Sequence, residues 1–148
     1  DGGLQGPDGA APRAPRRQAR LLSLPGSTLI ACADTQPQPV AALQSAGARI
    51  HVCPDGEGRV DLESLLRHLG QHEVNEVLVE AGPTLAGAVL SARLVDEIIL
   101  YLAPHLMGDA ARGLFHLPGV RHMAERIALV LTDVRAVGPD WRLTARPA

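Results

Sequence analysis

The sequence has 148 residues, of which 46% are hydrophobic and 20% are charged, and its formal net charge is −2. These values are typical of one globular domain rather than two. Only Tyr101, Phe115 and Trp141 are aromatic, so the chain lacks the rings on which unstacked bases lie, and we expect no nucleic-acid partner. All 14 positive charges are arginine, which excludes lysine Schiff-base and lysine general-base chemistry supplied from within this chain.

The two cysteines, Cys32 and Cys53, are too few for a disulfide scaffold or a cysteine-only zinc site, so we expect reduced thiols in the core. No apolar run of about 18 residues and no secretory signal is visible. The sequence therefore predicts a cytoplasmic protein without a membrane span. Because the first residue is Asp1 rather than methionine, we expect the natural chain to begin further upstream.

Residues 1–20 are rich in glycine, proline and arginine, a composition that cannot bury enough apolar surface to offset the entropy of ordering it. We predict a mobile loop or tail there, followed by the rest of the domain over 21–148. The arginines at positions 13, 16, 17 and 20 could form a phosphate-binding patch, but charges in such a segment are more often simply solvated. We assign them no function.

From residue 21 onward, short apolar runs alternate with helical periodicity, which is typical of an α/β domain with its sheet covered by helices. The first half of this pattern predicts strands over 28–33 and 48–53, joined by a helix over 39–46 that Gly47 ends in a left-handed conformation. Asp61 is positioned to cap a second helix, whose four leucines form one apolar stripe and which we expect Gly70 to end. The leucines are Leu62, Leu65, Leu66 and Leu69.

The second half continues the alternation and closes with a hairpin. The predicted elements are a strand over 76–80, a helix over 83–92, a strand over 95–103, a glycine- and proline-rich loop over 105–119, and strands over 127–137 and 141–146. The short Gly138-Pro139-Asp140 turn makes the last two strands an antiparallel hairpin.

The stretch from Glu76 to Ala88 runs from the predicted strand through a glycine-containing turn into a helix. Such a junction favours a ligand, because the helix presents unpaired backbone N–H groups and the positive end of its dipole to the space in front of it. Phosphate suits that position. Gly82 has no Cβ, so a ligand can approach the backbone closely. Pro83 suits the first helical position because it has no N–H group that would need an acceptor there, and the small Ala86 and Gly87 leave the surface of the first turns free of bulky side chains. We therefore predict an anion site there.

Glu80 comes immediately before this junction, and two roles are open to it. Its carboxylate could accept hydrogen bonds from a ligand's hydroxyl or amine groups, or it could simply complement the helix dipole. The stretch lacks the GxxxxGK[ST] pattern of a P-loop and the GxGxxG pattern of the usual dinucleotide fold.

Other candidate residues give weaker signals. Asp96 and Glu97 open a strand and are expected to be solvated. His68 and His72 are four residues apart near a helix end, where they could share a metal ion or, more commonly, interact with the helix dipole. No histidine is spaced to form a triad, and no Gly-x-Ser-x-Gly elbow occurs, so we predict neither a hydrolytic nucleophile nor a metal site.

The residues NEVLVEAGPTLAGA, LVDE and APHLMG together closely resemble the carboxyl-terminal reductase domain of the bifunctional riboflavin-biosynthesis deaminase/reductase family. The resemblance is specific over residues 73–140 and looser over 21–72. It implies a dihydrofolate-reductase-like α/β fold with a mixed sheet flanked by helices, ending in an antiparallel hairpin. It also implies that NADPH reduces the ribosyl group of 5-amino-6-(5-phosphoribosylamino)uracil to the ribitylamino product.

Carried onto this sequence, the resemblance implies a substrate contact for Glu80. It implies NADPH binding for the turn and helix start that follow, which comprise Gly82, Pro83, Thr84, Leu85, Ala86, Gly87 and Ala88. No catalytic side chain and no metal is implied, because the cofactor supplies the hydride and the protein positions the reactants. The resemblance further implies a homodimer and a small-molecule substrate.

Two features of the family are absent from these residues. The zinc deaminase motifs do not occur, and neither does the lysine-bearing first strand with the segment that grips the substrate phosphate. We therefore expect a deaminase domain and these strands upstream of the chain. The alternative is that the chain by itself is a non-catalytic nucleotide-binding or dimerisation module.

Overall fold

The computed structural model describes residues 22, 24–34 and 37–148. The segment predicted as a tail, with its four arginines, lies outside these residues. The chain divides into two compact units, one reaching to Val77 and the other running from Leu78 to Ala148. In the part that the structure describes, no helix combines the length and the apolar character needed to cross a membrane.

The first unit is built on two parallel strands joined by a helix. Strand β1 (Thr28–Cys32) pairs with β2 (Ala48–Val52) from one end to the other, and α1 (Pro37–Ser45) connects them and packs on β2. Leu43 of α1 and Ala48 of β2 are both buried. Gly47 takes a φ of 95°, which confirms the predicted left-handed end of the first helix.

A tight turn and a second helix complete the first unit. The Asp55 carboxylate accepts hydrogen bonds from the backbone N–H groups of Glu57 and Arg59, both at 2.8 Å. Helix α2 (Leu62–Gln71) then starts at Asp61, as predicted, and its leucine stripe is half-buried. Gly70 does not end the helix: it lies inside the last turn, and Glu73, with a φ of 63°, is the residue that leaves the helix in the left-handed conformation.

The second unit contains a helix and an antiparallel sheet. Helix α3 (Pro83–Ser91) is followed by β3 (Ile98–Leu102), a short 3₁₀ helix (Met123–Glu125), β4 (Leu129–Val137) and β5 (Asp140–Pro147). The strand order is β3-β5-β4, so β5 is central. Val137 pairs with Asp140 across a two-residue Gly138-Pro139 turn, which confirms the predicted hairpin.

The centre of the antiparallel sheet is well covered. Ala145 is completely buried and Thr144, next to it on the opposite face, is 6% exposed. A β-bulge between Leu131 and Asp133 changes the register of β4, and the Thr132 hydroxyl donates to the Thr144 carbonyl at 3.2 Å. The bulge keeps Leu131 and Val134 on the same face of the sheet as Ala145.

The predicted strand over 76–80 is wrong. Residues 74–82 have no regular secondary structure, and this segment pairs with no strand that the structure describes. Leu78 is 77% exposed, and Val77 and Val79 are exposed as well. The sequence Glu-Val-Leu-Val-Glu has the local preference of a strand, but a strand exists only when neighbours accept its hydrogen bonds, and none does so here.

Helices thus alternate with parallel strands in the first unit and accompany antiparallel strands in the second. The mixed α/β class predicted from the sequence is confirmed.

Candidate functional site

The amino terminus of α3 leaves backbone donors open. Gly82 is the N-cap and has no side chain that could accept a hydrogen bond, and Pro83 at the first helical position has no N–H. The first helical N–H to find an acceptor is that of Ala86, which donates to the Gly82 carbonyl at 3.1 Å. Within the described residues, the N–H groups of Thr84 and Leu85 therefore have no acceptor.

Nothing in the part of the chain that the structure describes requires a glycine at position 82. Its φ of −71° is ordinary for any residue, and a Cβ built there would meet no atom within 4 Å. Neither backbone conformation nor packing therefore explains the missing side chain. A molecule approaching the open N–H groups would explain it, because even a methyl group would stand in front of the helix end.

The seven residues predicted to hold the cofactor divide between two environments. Gly82, Thr84, Leu85 and Ala88 are exposed, whereas Pro83 and Ala86 are half-buried and Gly87 is buried. The exposed set includes Thr84 and Leu85, whose N–H groups are open. Of the covered set, Pro83 and Gly87 contact the His116 backbone, so the cofactor prediction fits the exposed residues better than the buried Gly87.

Glu80 lies two residues before the N-cap on the irregular segment, not at the end of a strand as expected. Its side chain is exposed, and it forms no hydrogen bond or ion pair with a described residue. The first turn of α3 contains no acidic side chain. Glu80 therefore contributes a solvated carboxylate on the approach to the helix end, and both roles considered for it from the sequence stay open.

The loop after β3 contacts α3 through its backbone. The His116 N–H donates to the Pro83 carbonyl at 2.9 Å. A Cβ at Gly87 would lie 2.8 Å from the His116 carbonyl carbon and 3.0 Å from its nitrogen. This contact was not predicted from the sequence. Its signal was a glycine in the middle of a helix, where glycine costs stability relative to alanine unless another group comes close.

The histidines of the first unit form a column of rings. His51 of β2 stacks on His68 of α2 with ring centroids 3.7 Å apart and planes 13° apart, and the His72 ring lies 4.3 Å from that of His68, tilted by 48°. Burial and the neighbouring His51, His72 and Arg49 lower the pKa of His68. His51 Nε2 is buried and has no hydrogen-bond partner among the described residues.

This column is not a metal centre. Among the residues that the structure describes, no group of three or more histidine, cysteine or acidic side chains could hold a metal ion. His72 Nδ1 instead lies 2.9 Å from the His68 carbonyl oxygen, a contact at the end of the helix. Spacing alone had pointed to His68 and His72, but only the folded chain adds His51.

The remaining candidates are structural. Both cysteines are free, and Cys53 is buried. Burial, together with the Asp61 carboxylate and Cys32, raises the pKa of the Cys53 thiol, which disfavours its nucleophilic form. Glu97 and Arg146 form an exposed ion pair at 3.7 Å just before β3, in accord with the predicted solvated strand start.

Comparison with known proteins assigns the family. The sequence profile of the RibD C-terminal domain matches residues 13–143, which is most of the chain. The chain belongs to the RibD C-terminal domain family. The family resemblance predicted from the sequence is therefore confirmed.

Curated relatives of this RibD C-terminal domain carry two kinds of name. Riboflavin biosynthesis protein RibD of Escherichia coli strain K12 is 48% identical over 92 residues, which are 62% of this chain and 25% of that protein. A Buchnera aphidicola protein named 5-amino-6-(5-phosphoribosylamino)uracil reductase is 36% identical over 93 residues, which are 63% of this chain and 45% of that protein. The chain thus spans about a quarter to a half of the length of these relatives.

A solved structure agrees with the family assignment. Acinetobacter baumannii RibD, form 2, superposes on 88% of this chain and 34% of its own, with a TM-score of 0.73 and 30% sequence identity. The dihydrofolate-reductase-like fold implied by the resemblance is confirmed by this match.

Proposed function

We propose that this chain acts in riboflavin biosynthesis as a reductase, using NADPH to reduce the ribosyl group of 5-amino-6-(5-phosphoribosylamino)uracil to a ribityl group. Membership of the RibD C-terminal domain family supports the proposal, as does the similarity to the Buchnera protein named as a reductase. The observation that carries it is the open amino terminus of α3, where two N–H groups have no acceptor among the described residues and lie beside a glycine that no described neighbour explains.

The residues at this helix end fit a nicotinamide cofactor through its phosphates. The N–H groups of Thr84 and Leu85 would donate to phosphate oxygens, and the helix dipole would add a favourable field. No acidic side chain lies in the first turn to repel an anion. NADPH, when bound, supplies the hydride. The choice of NADPH over NADH follows the family resemblance.

Glu80 is proposed as the substrate contact. A carboxylate accepts hydrogen bonds only, so it would hold hydroxyl or amino groups of the ribosylaminouracil and orient the ribosyl carbon for reduction. Hydride transfer needs no protein nucleophile, which agrees with the absence of a predicted triad. The protein's part in the reaction is then binding and orientation.

Substituting Glu80 tests its role. We expect Glu80→Gln to weaken substrate binding by roughly 10- to 100-fold, as for the loss of a hydrogen bond to a charged group, and to leave NADPH affinity unchanged. Calorimetric titration of the chain with substrate and, separately, with NADPH measures both. Glu76→Gln removes a second exposed carboxylate of the same segment and is the matched control. Equal substrate affinity in all three proteins would remove Glu80 from the site.

The alternative function is a non-catalytic nucleotide-binding or dimerisation module. One face of the antiparallel sheet favours association, because its apolar side chains Leu102, Leu131, Val134 and Trp141 are all about half-exposed. We propose that a second copy of the chain covers this face, in line with the homodimer that the resemblance implies. Light scattering after gel filtration should give twice the 15.6 kDa chain mass, and Leu131→Arg should return the protein to one chain.

One assay separates the two functions. NADPH consumption is followed with the 148-residue chain and the ribosylaminouracil substrate. Turnover would eliminate the non-catalytic alternative. Saturable NADPH binding without turnover would favour it, and the absence of both would contradict the proposed cofactor site.

A further inference from the structure

We infer that Gly87 is a positioning residue: it docks the backbone of His116, and with it the loop between β3 and the 3₁₀ helix, onto α3, and so fixes the first turn of that helix. This inference rests on the proposed function, because the turn it fixes is the proposed cofactor site. It assigns Gly87 a different role from the cofactor contact that the resemblance implies.

There is no space for a side chain at Gly87. The residue is buried, and the volume that its side chain would occupy is already filled by the His116 peptide group. A Cβ there would lie 2.8 Å from the His116 carbonyl carbon and closer still to the carbonyl oxygen. Both partners are backbone, so neither can rotate away as a side chain would. A bound molecule cannot reach Gly87 through this contact.

His116 also forms a hydrogen bond one turn earlier. The His116 N–H donates to the carbonyl of Pro83, the first residue of α3, at 2.9 Å. Pro83 and Gly87 are four residues apart and so lie on the same face of the helix. His116 therefore contacts one face at two successive turns, through its N–H and its carbonyl group.

The hydrogen bond at Pro83 lies next to the open donors. Pro83 directly precedes Thr84 and Leu85, whose N–H groups have no acceptor among the described residues. First turns of helices fray when nothing holds them. A hydrogen bond to the Pro83 carbonyl holds the peptide units of Thr84 and Leu85 in one orientation, with their N–H groups directed out of the amino-terminal end of the helix. The orienting contact lies on the side of the turn that His116 covers, and the binding groups lie at the open end of the helix.

The test compares Gly87→Ala with two controls in the 148-residue chain. His116→Ala removes an exposed side chain and leaves the docking backbone intact, and Gly119→Ala adds a methyl group to a loop glycine that has no neighbour within 4 Å. Amide hydrogen exchange is measured over 104–118 and 83–87. We expect Gly87→Ala to speed exchange in both segments by about tenfold or more and both controls to leave it unchanged.

The second readout is NADPH affinity, measured by fluorescence of the nucleotide. We expect Gly87→Ala to raise the Kd by about tenfold, since misplacing binding groups by a fraction of an ångström weakens every contact they make, while the controls match the unaltered chain. A solely structural glycine would lower the melting temperature without changing the Kd of the folded fraction. His116→Pro removes the donor from the loop side, keeps α3 intact and should reproduce both effects if Gly87→Ala fails to fold.

The outcomes separate the two proposals. Unchanged exchange in Gly87→Ala and His116→Pro would overturn the docking. Faster exchange with an unchanged Kd would overturn the positioning role alone and leave the cofactor site in place. If the unaltered chain does not bind NADPH, the cofactor site and the positioning role both fail, and exchange still decides whether Gly87 docks the loop.

Discussion

The helices α2 and α3 both begin at an N-cap residue with extended backbone, but only α2 satisfies an open N–H group with the side chain of that residue. The N-cap φ is −72° at Asp61 and −71° at Gly82, and both residues are extended. Asp61 accepts a hydrogen bond from the Ser64 N–H at 3.0 Å, so α2 satisfies a donor from its own sequence. Gly82 has no side chain that could accept a hydrogen bond, so the N–H groups of Thr84 and Leu85 have no acceptor among the described residues. The cap residue therefore distinguishes a helix that satisfies its own donors from the one that we propose to bind an anion.

Adding a side chain that accepts the open N–H groups of α3 is the change with the largest expected effect on nucleotide binding. Gly82→Asp would place a carboxylate where α2 has one, able to accept the Leu85 N–H and to repel a phosphate. We expect NADPH affinity to fall by at least about 100-fold, since donors and favourable charge are lost together.

The same variant should fold as well as the unaltered chain. Exchanging glycine for aspartate at an N-cap changes stability by only a few tenths of a kcal/mol, so urea unfolding should give a free energy within about 0.5 kcal/mol of the starting value. Gly119→Asp adds the same charge at another exposed glycine and serves as the control. Undiminished nucleotide binding by Gly82→Asp would refute the assignment of this helix end.

Removing the N-cap acceptor of α2 should lower the stability of the chain and leave nucleotide binding unchanged. Asp61→Ala removes the acceptor of the Ser64 N–H, and we expect the free energy of unfolding to fall by about 1 kcal/mol. Asp61→Asn retains a side-chain oxygen that can cap the helix, so its free energy of unfolding should fall by only about a few tenths of a kcal/mol. Both variants should bind NADPH like the unaltered chain. A loss of nucleotide binding in Asp61→Ala would break the division of roles between the two helices.

The far end of α2 gives a smaller, pH-dependent effect. The pKa of His68 is lowered in the folded chain, so the unfolded chain takes up the proton more readily. Stability is therefore greatest above the ordinary histidine pKa of about 6.5 and falls as the pH drops through that value toward the lowered one.

Thermal unfolding between pH 8 and pH 5 measures this dependence, and His68→Gln should flatten it. His122→Gln removes an exposed histidine of the second unit and is the matched control. If the unaltered chain and His68→Gln lose stability equally between these pH values, the His51, His68 and His72 rings are not the cause of the pH dependence.

Features that a short segment determines by itself could be predicted from the sequence. The Asp61 cap, the left-handed Gly47 and the Gly138-Pro139 turn each depend on residues within a few positions of one another. Pro83 after Gly82 likewise located the start of α3. These features could be predicted because local hydrogen bonds and backbone preferences decide them.

Features that depend on contacts between distant segments could not be predicted from the sequence. Residues 76–80 have the composition of a buried strand, yet no described strand offers them hydrogen bonds. The His51–His68 stack joins residues from β2 and α2, and the His116–Gly87 contact joins a loop to a helix 29 positions earlier in the numbering. The periodicity of a sequence does not indicate which distant residues come into contact, although the glycine in the middle of α3 at position 87 was a sign of one such contact.

The central position of β5 has a consequence for how the second unit is made. Strands β3 and β4 do not pair with each other, and both pair with β5, which follows them in the sequence. During synthesis, β3 and β4 therefore emerge from the ribosome with no sheet to join, and their apolar side chains stay uncovered until Asp140–Pro147 follows. A chain that stopped before Asp140 would lose not an edge of this sheet but the strand that pairs with both of the others.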